Sequence, residues 1–348
     1  MERPGQADQS VIVEPHLVGE RLDIGQHDKE VVIMTSCLSI AEVQACAAMT
    51  SGLAIRQEDE GAVRRLVLCR PEAYNTITPA LRAELDAALD AADRDHDVRV
   101  VLLSAEGPAF CAGFGLDWST APARGEGADR VWDTVADVQM IGSFGKTFAK
   151  LHEISKPTVA AVQGWCVAGG TDMVLNADLI VAGEGARFGY PPARVWGVPE
   201  APWLWVARLG LERAKRYLFT GDELTAAEAA EAGMILECVP DDQLHRRSTD
   251  LAQRIARLPL NQLQMIKWML NDVARHQYQP DTSRLLGFIF DGVARHTQEG
   301  LDFVARAQEV GWRQAVRECD RPFGDYGERA TGGGGGGSSV GDGPPRGG

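Results

Sequence analysis

Two glycine-rich segments hold the residues best placed to do chemistry. Phe110-Cys-Ala-Gly-Phe-Gly-Leu116 follows the apolar run Val98–Leu103, and Gly164-Trp-Cys-Val-Ala-Gly-Gly-Thr-Asp172 follows Thr158–Val162. In the second, four residues separate Gly164 from Gly169 and Thr171 comes soon after, the outline of a phosphate loop. That loop needs a lysine to reach the phosphates, and Gly170 stands in its place, which removes nucleotide hydrolysis. In the first, Gly113 and Gly115 supply only two of the three glycines of a dinucleotide fingerprint. Both segments leave backbone bare of side chains where a helix is expected to begin. Unpaired N–H groups there attract anions. Two of them converging from separate loops would form an oxyanion hole, which holds the charge that develops on a carbonyl oxygen. The same glycines also suit tight strand-to-helix turns with no chemical role.

Other chemistries are disfavoured. The seven cysteines are an odd number without a CxxC pair, a spacing that fits neither a disulfide framework nor a zinc site. The seven histidines form no HExxH or HxH pair, so no metal is expected. Cys111 and Cys166 lie in the glycine segments and read as small buried hydrophobes rather than nucleophiles. Across 348 residues, 35 Lys and Arg stand against 49 Asp and Glu, a net charge of −14. That balance opposes a nucleic-acid surface, though not a small anion held in a local pocket. No apolar run is long enough for a membrane span. The N-terminus lacks a charged-then-apolar secretory pattern, so a cytoplasmic protein is expected.

The elements that must position the loops alternate. Leu53–Gln57 and Val63–Cys69 flank the polar stretch Glu58–Gly61 and predict a β-hairpin. Thr78 followed by Pro79 predicts a helix start, with Leu81, Leu85 and Leu89 along one face. Val98–Leu103, Thr158–Val162 and Leu179–Ala182 are short continuous apolar runs, as in strands covered on both faces. A long amphipathic helix is expected over Asp129–Ile154. From Leu224 the chain reads as largely helical, apart from Ile235–Val239. The fold class is therefore α/β. Residues 1–50 show no sustained period and are expected to be a poorly ordered extension, with a short helix at Ala41–Met49. The core is expected over 51–258, a helical region over 259–325 and a glycine-rich tail over 326–348.

Read in order, Arg70-Pro-Glu-Ala-Tyr-Asn75, Phe110–Leu116, Lys156-Pro-Thr-Val-Ala-Ala-Val-Gln-Gly164, Ala168-Gly-Gly-Thr-Asp172, Ala177–Ala182 and Leu218-Phe-Thr-Gly-Asp222 resemble the crotonase superfamily, the enoyl-CoA hydratase/isomerase family. The resemblance runs from about Ala54 to Phe323. It implies a crotonase-like spiral of repeated β-β-α units, a C-terminal helical region that builds homotrimers or homohexamers, and an acyl-CoA thioester as substrate. Coenzyme A enters as part of that substrate, with no separate cofactor. Matched residue by residue, the oxyanion N–H groups fall at Phe114 and Gly169. Ala112, Gly113, Trp165, Pro192 and Trp203 are placed as substrate-binding residues.

The sequence departs from the hydratase pattern at both catalytic carboxylates. Three residues after Gly169 stands Asp172, a carboxylate one methylene shorter than the usual glutamate. In Phe188-Gly-Tyr-Pro-Pro192, Pro192 occupies the place of the second glutamate. Hydration wants one group to activate water and one to handle the α-proton, so this loss speaks against simple hydratase activity. Glu200, eight residues beyond Pro192, falls where dienoyl-CoA isomerase-like and dehalogenase-like branches place an acidic residue. Val198, Trp203 and Trp205 around it predict desolvation and a raised pKa. Each carboxylate has a plainer reading, Glu200 as a first-turn helix residue and Asp172 as a cap. His152 is misplaced for the dehalogenase branch. Arg70, Lys146 and Lys267 are weighed as cations for CoA against ordinary surface charges.

The expected function is therefore an acyl-CoA-transforming enzyme of the enoyl-CoA hydratase/isomerase type. A thioester enolate would be held by the backbone of Phe114 and Gly169, with Glu200 and/or Asp172 moving protons. Two alternatives stay open: an acyl-CoA hydrolase or retro-Claisen enzyme, and a CoA-binding scaffold without chemistry.

Overall fold

A computed structural model describes residues 52–119 and 134–324. The expected N-terminal extension with its helix at Ala41–Met49, the first residues of the Asp129–Ile154 helix, and the glycine-rich tail lie outside the described residues.

A hairpin opens the described chain. Strands β1 (Ile55–Glu60) and β2 (Val63–Leu68) pair antiparallel, Glu60 opposite Val63, so only Gly61 (φ +63°) and Ala62 make the turn. The stretch from Glu58 to Glu60, expected as turn, is strand. Arg64 donates from Nε and Nη2 to the two carboxylate oxygens of Asp59, each at 2.8 Å, directly across the ladder. Cross-strand ion pairing explains the charge there. Helix α1 (Pro79–Arg94) starts as its sequence predicts: Leu81 N–H donates to Thr78 Oγ1 at 3.1 Å, Pro79 takes the first turn, and Leu81, Leu85 and Leu89 are buried.

The chain then winds in repeated turns, each sending one strand to each of two sheets. The first turn gives β3 (Val100–Ala105) and β4 (Ala109–Cys111), followed by helices α2 (Leu116–Ser119) and α3 (Thr134–Glu153). The second gives β5 (Thr158–Val162), β6 (Trp165–Val167) and helix α4 (Gly169–Leu175). The third gives β7 (Leu179–Gly183), β8 (Arg187–Gly189) and helices α5 (Pro202–Leu209) and α6 (Leu211–Thr220). Strand β9 (Leu224–Thr225), helix α7 (Ala226–Glu231) and strand β10 (Glu237–Val239) complete the sheets. The larger sheet runs β1-β2-β3-β5-β7-β10, parallel beyond the hairpin, and the smaller runs β4-β6-β8-β9. This is the crotonase-type α/β spiral that the resemblance implied.

The continuous apolar runs are strands buried on both sides. In β3, Val101 and Leu103 face the main core, while Val100 and Leu102 face a second layer capped by Leu244 and Ala252 of helix α8 (Leu244–Ala256). Period-two alternation is present but invisible in sequence, because neither face meets water.

Four helices follow: α9 (Leu260–Tyr278), α10 (Pro280–Ala294), α11 (Gln298–Val310) and α12 (Trp312–Asp320). Helix α10 lies antiparallel on α3. His296, just past α10, meets Asp137 at 2.7 Å, Phe288 packs on Gly142, and Arg284 donates to Glu153 Oε1 at 2.6 Å. Lys267, weighed above as a CoA cation, is instead buried in α9. Its ammonium pairs with Asp178 at 2.7 Å and donates to the Leu151 and Lys156 carbonyls, so it ties α9 to the core. No described helix is long and apolar enough to cross a membrane.

Candidate active site

The two glycine loops converge on each other. The first is stitched to the segment before α1: Ala112 N–H donates to Tyr74 O (3.1 Å), Ile77 N–H to Gly113 O (2.8 Å) and Gly115 N–H to Ile77 O (3.1 Å). Asn75, fully buried, fixes that segment. Its side-chain oxygen accepts Arg70 N–H, and its amide donates to the carbonyls of Glu106 and Ala109. Gly113 sits at φ +88°, and a methyl there would lie 2.7 Å from Ala168 Cβ and 3.5 Å from Gly169 N. The close approach is thus glycine-dependent on both geometric and steric grounds. In the second loop, Thr171 and Asp172 N–H groups return to Ala168 O. The N–H groups of Phe114 and Gly169 donate to no acceptor among the described residues. The Phe114 ring covers Gly169 and joins Trp118, Phe144 and Phe148 in an aromatic cluster.

One turn into α4, Asp172 meets the second carboxylate. Glu200 N–H donates to Asp172 Oδ2 at 3.3 Å, and both side chains are buried. Glu200 makes no capping bond to α5, and Asp172 accepts from the distant Glu200 backbone. Asp172 Oδ1 and both carboxyl oxygens of Glu200 are without partners. Tyr190 holds the loop that carries Glu200, donating its hydroxyl to Val198 O at 2.6 Å beside Asp172. Asp291 of α10 also lies against this loop, accepting from Val198 N–H and pairing with Arg295 at 3.3 Å. Burial is the main force on the pair. It pushes Asp172 up to about 8, against the opposing pull of the Glu200 N–H. Glu200 is driven well above the ordinary range by burial and then by the charges of Asp172 and Asp291.

Both carboxyls line a crevice shared with Gly145, Phe148, Arg284 and Phe288, too narrow to hold a water molecule. Trp165, Pro192 and Trp203 lie outside this lining. Trp165 is paired in β6 with Ala109 and Arg187, and Pro192 stacks on Gly197. Trp203 packs against His152 and Tyr278, so Phe148 and Phe288, not Trp203, border the Glu200 crevice. His152, lowered to about 3 by burial and then by Lys267, is a neutral ring away from the crevice. Cys111 and Cys166 are buried thiols held above their ordinary pKa by desolvation, as small hydrophobes would be. Among the described residues, no cluster of histidine, cysteine or carboxylate side chains forms a metal site.

A family profile described as enoyl-CoA hydratase/isomerase matches residues 58–312. The chain belongs to the enoyl-CoA hydratase/isomerase family. It is 32% identical over 216 residues to the enoyl-CoA hydratase EchA19 of Mycobacterium tuberculosis, covering 60% of this chain and 77% of that one. It is 28% identical over 214 residues to the 1,2-epoxyphenylacetyl-CoA isomerase of Escherichia coli, covering 61% and 79%. A crystal structure of an enoyl-CoA hydratase from Mycobacterium smegmatis superposes with a TM-score of 0.74 at 45% identity, over 79% of this chain and 96% of that one.

Within this hydratase/isomerase fold, the structure adds site residues that the sequence did not single out. Gly145, Arg284, Phe288 and Asp291 come from α3 and α10, and Tyr190 from the loop after β8. Asp291 and Arg284 did carry a signal, as charges within an otherwise apolar stripe. Phe288 carried none.

Proposed function

We propose that this member of the family shifts the double bond of an enoyl-CoA by proton transfer between Asp172 and Glu200. One observation carries the reading: three buried carboxyl oxygens, Asp172 Oδ1 and both of Glu200, share one crevice and have no protein partner. Burial raises both carboxyls, Asp172 to about 8 and Glu200 well above its ordinary range, so each can hold a proton near neutral pH. Ionised Asp172 removes a proton from Cα of a 3-enoyl thioester. The electron pair spreads onto the thioester oxygen, held by the N–H groups of Phe114 and Gly169. Each aimed donor of this kind lowers a barrier by roughly 2.7–4 kcal/mol. Glu200 then delivers its proton to Cγ, leaving the double bond between Cα and Cβ. Asp172 now holds the proton and Glu200 the charge, and exchange within the pair restores the start.

Hydration is the second reading, supported by relatives named as hydratases. It would add one water across the same double bond, using the same two carboxyls. Pro192 at the usual second glutamate favours isomerisation. Within this reading, the outward apolar faces of α9 and α10 are assigned to contacts between copies in a homotrimer or homohexamer.

Mass spectrometry of products from 2-enoyl- and 3-enoyl-CoA substrates tests the proposal. An unchanged mass with a moved double bond supports isomerisation, and gain of one water supports hydration. Free CoA would point to hydrolysis, and tight binding without any product to a scaffold. Full turnover by both E200Q and D172N would overturn the assignment of the proton carriers.

A further inference from the structure

The carboxylate crevice has two chemically opposite ends. Along α4 the order is Gly169, Asp172, then Asn176 immediately beyond the helix, and Asn176 lies about 6 Å further along the axis than Asp172, from four residues of helical rise. Helix α10 repeats the polarity. Arg295, just past its end, donates from Nη1 to Ser119 O at 2.9 Å, next to the loop of Phe114. One to two turns back come Asp291 and Phe288, and Arg284 lies one turn beyond them. Both helices thus place Arg284 and Asn176 at the end of the crevice away from Phe114, and both residues line it.

Arg284 is buried to 8% exposure and only partly paired. Nη1 donates to Glu153 Oε1 at 2.6 Å, but the Glu153 side chain is 47% exposed and its charge is screened by water. Nε and Nη2 have no hydrogen-bond partner. Those two N–H groups form one edge of the guanidinium, the parallel fork that matches two oxygens of a single acceptor. Leaving such a fork buried and unbonded is costly. Asn176 also keeps its side-chain oxygen unpartnered, while its amide donates to Asp172 O at 2.7 Å.

We infer that Arg284 anchors a carboxylate at the far end of the acyl chain, so that the preferred substrates are CoA monothioesters of short dicarboxylic acids. This rests on the reading above, in which the thioester oxygen lies at Phe114 and Gly169 and the reacting carbons at Asp172 and Glu200. The chain then points past Phe288 to the guanidinium fork, and the narrow crevice must open around it on binding. The catalytic carboxyls do not bar an anionic tail, because burial keeps Glu200 in its neutral form. A ligand in place would satisfy Nε and Nη2, which no group in the described protein does.

Calorimetric titration of the full chain with two unreactive saturated ligands tests the inference separately from turnover. The ligands are hexanoyl-CoA and the CoA monothioester of the six-carbon dicarboxylic acid, equal in length and differing only at the tail. The wild-type protein is expected to bind the carboxylated ligand at least about tenfold more tightly, the gain of one charge-assisted bidentate contact. R284M is expected to abolish that difference, and R284K, a point charge without the fork, to keep only part of it. Equal binding of the two ligands by wild type overturns the inference, even if the protein isomerises uncharged enoyl-CoA. A preference that persists in R284M also overturns it. Should R284M fail to fold, the wild-type comparison alone decides. Failure of the proposed reaction would show separately, as absence of product from every enoyl-CoA.

Discussion

Glu200 gives its backbone N–H to Asp172 Oδ2 at 3.3 Å, while both oxygens of its own carboxyl remain unbonded. The backbone is held and the reactive end is left open. Tyr190 and Asp291 hold the same loop from the two sides of Val198. Glu200 is positioned through main-chain contacts that leave its carboxyl oxygens unbonded.

The pH profile should follow from that pair. As Asp172 ionises near pH 8, kcat/KM is expected to rise with pH through that region. Rates measured from pH 6 to 10 check this. D172N should lose the rising limb. A flat profile across that range would show that Asp172 is not the base.

Stability should respond in the opposite direction. The folded state binds the Asp172 proton more tightly than the unfolded chain, whose aspartate has a pKa of 3.8. Between that value and about 8, the unfolded state has released a proton that the folded state retains, so stability falls as pH rises through this window. Scanning calorimetry of wild type and D172N at pH 5.5 and pH 8 isolates the contribution. The drop in Tm is expected to be smaller in D172N, which has no proton to lose.

Gly145 should tolerate no side chain. A methyl there would lie 2.3 Å from Phe288 Cε1 and 2.9 Å from Glu200 Oε2. G145A is expected to destabilise by about 1–3 kcal/mol through overpacking and to lower kcat by displacing the acid. Adding F288A should recover part of the stability. Denaturant unfolding of the two single variants and the double variant gives the coupling.

Gly113 should be more sensitive in activity than in fold. G113A combines a positive φ with a 2.7 Å approach to Ala168 Cβ, which shifts the Phe114 N–H. The expected fall in kcat is about 10²–10³-fold, the effect of losing one oxyanion donor. Single-turnover kinetics should show the loss in the chemical step rather than in binding.

The strands and the first helix were legible because they carry local signals, whereas the spiral was implied by the resemblance. The continuous run through β3 reports burial on both faces, and Thr78-Pro79 reports the start of α1. The hairpin turn was misplaced because Glu58–Glu60 read as turn residues until Asp59 is seen facing Arg64 across the ladder. Asp172 and Glu200 were both singled out through the resemblance, and the fold brings them together. Arg284, Phe288 and Asp291 were not, because their role depends on where α10 docks, and an apolar stripe does not name its partner. Trp203 packs on His152 and Tyr278 and against Arg284 rather than lining the Glu200 crevice itself.

The chamber is assembled from two distant stretches of chain. Trp203 N–H reaches Ser283 Oγ across 80 residues, and a methyl on Gly287 would lie 2.7 Å from Glu200 O. Both contacts put α10 over the loop that carries Glu200, so the carboxyl owes part of its lost solvent, and with it part of its elevated proton affinity, to the docking of one C-terminal helix.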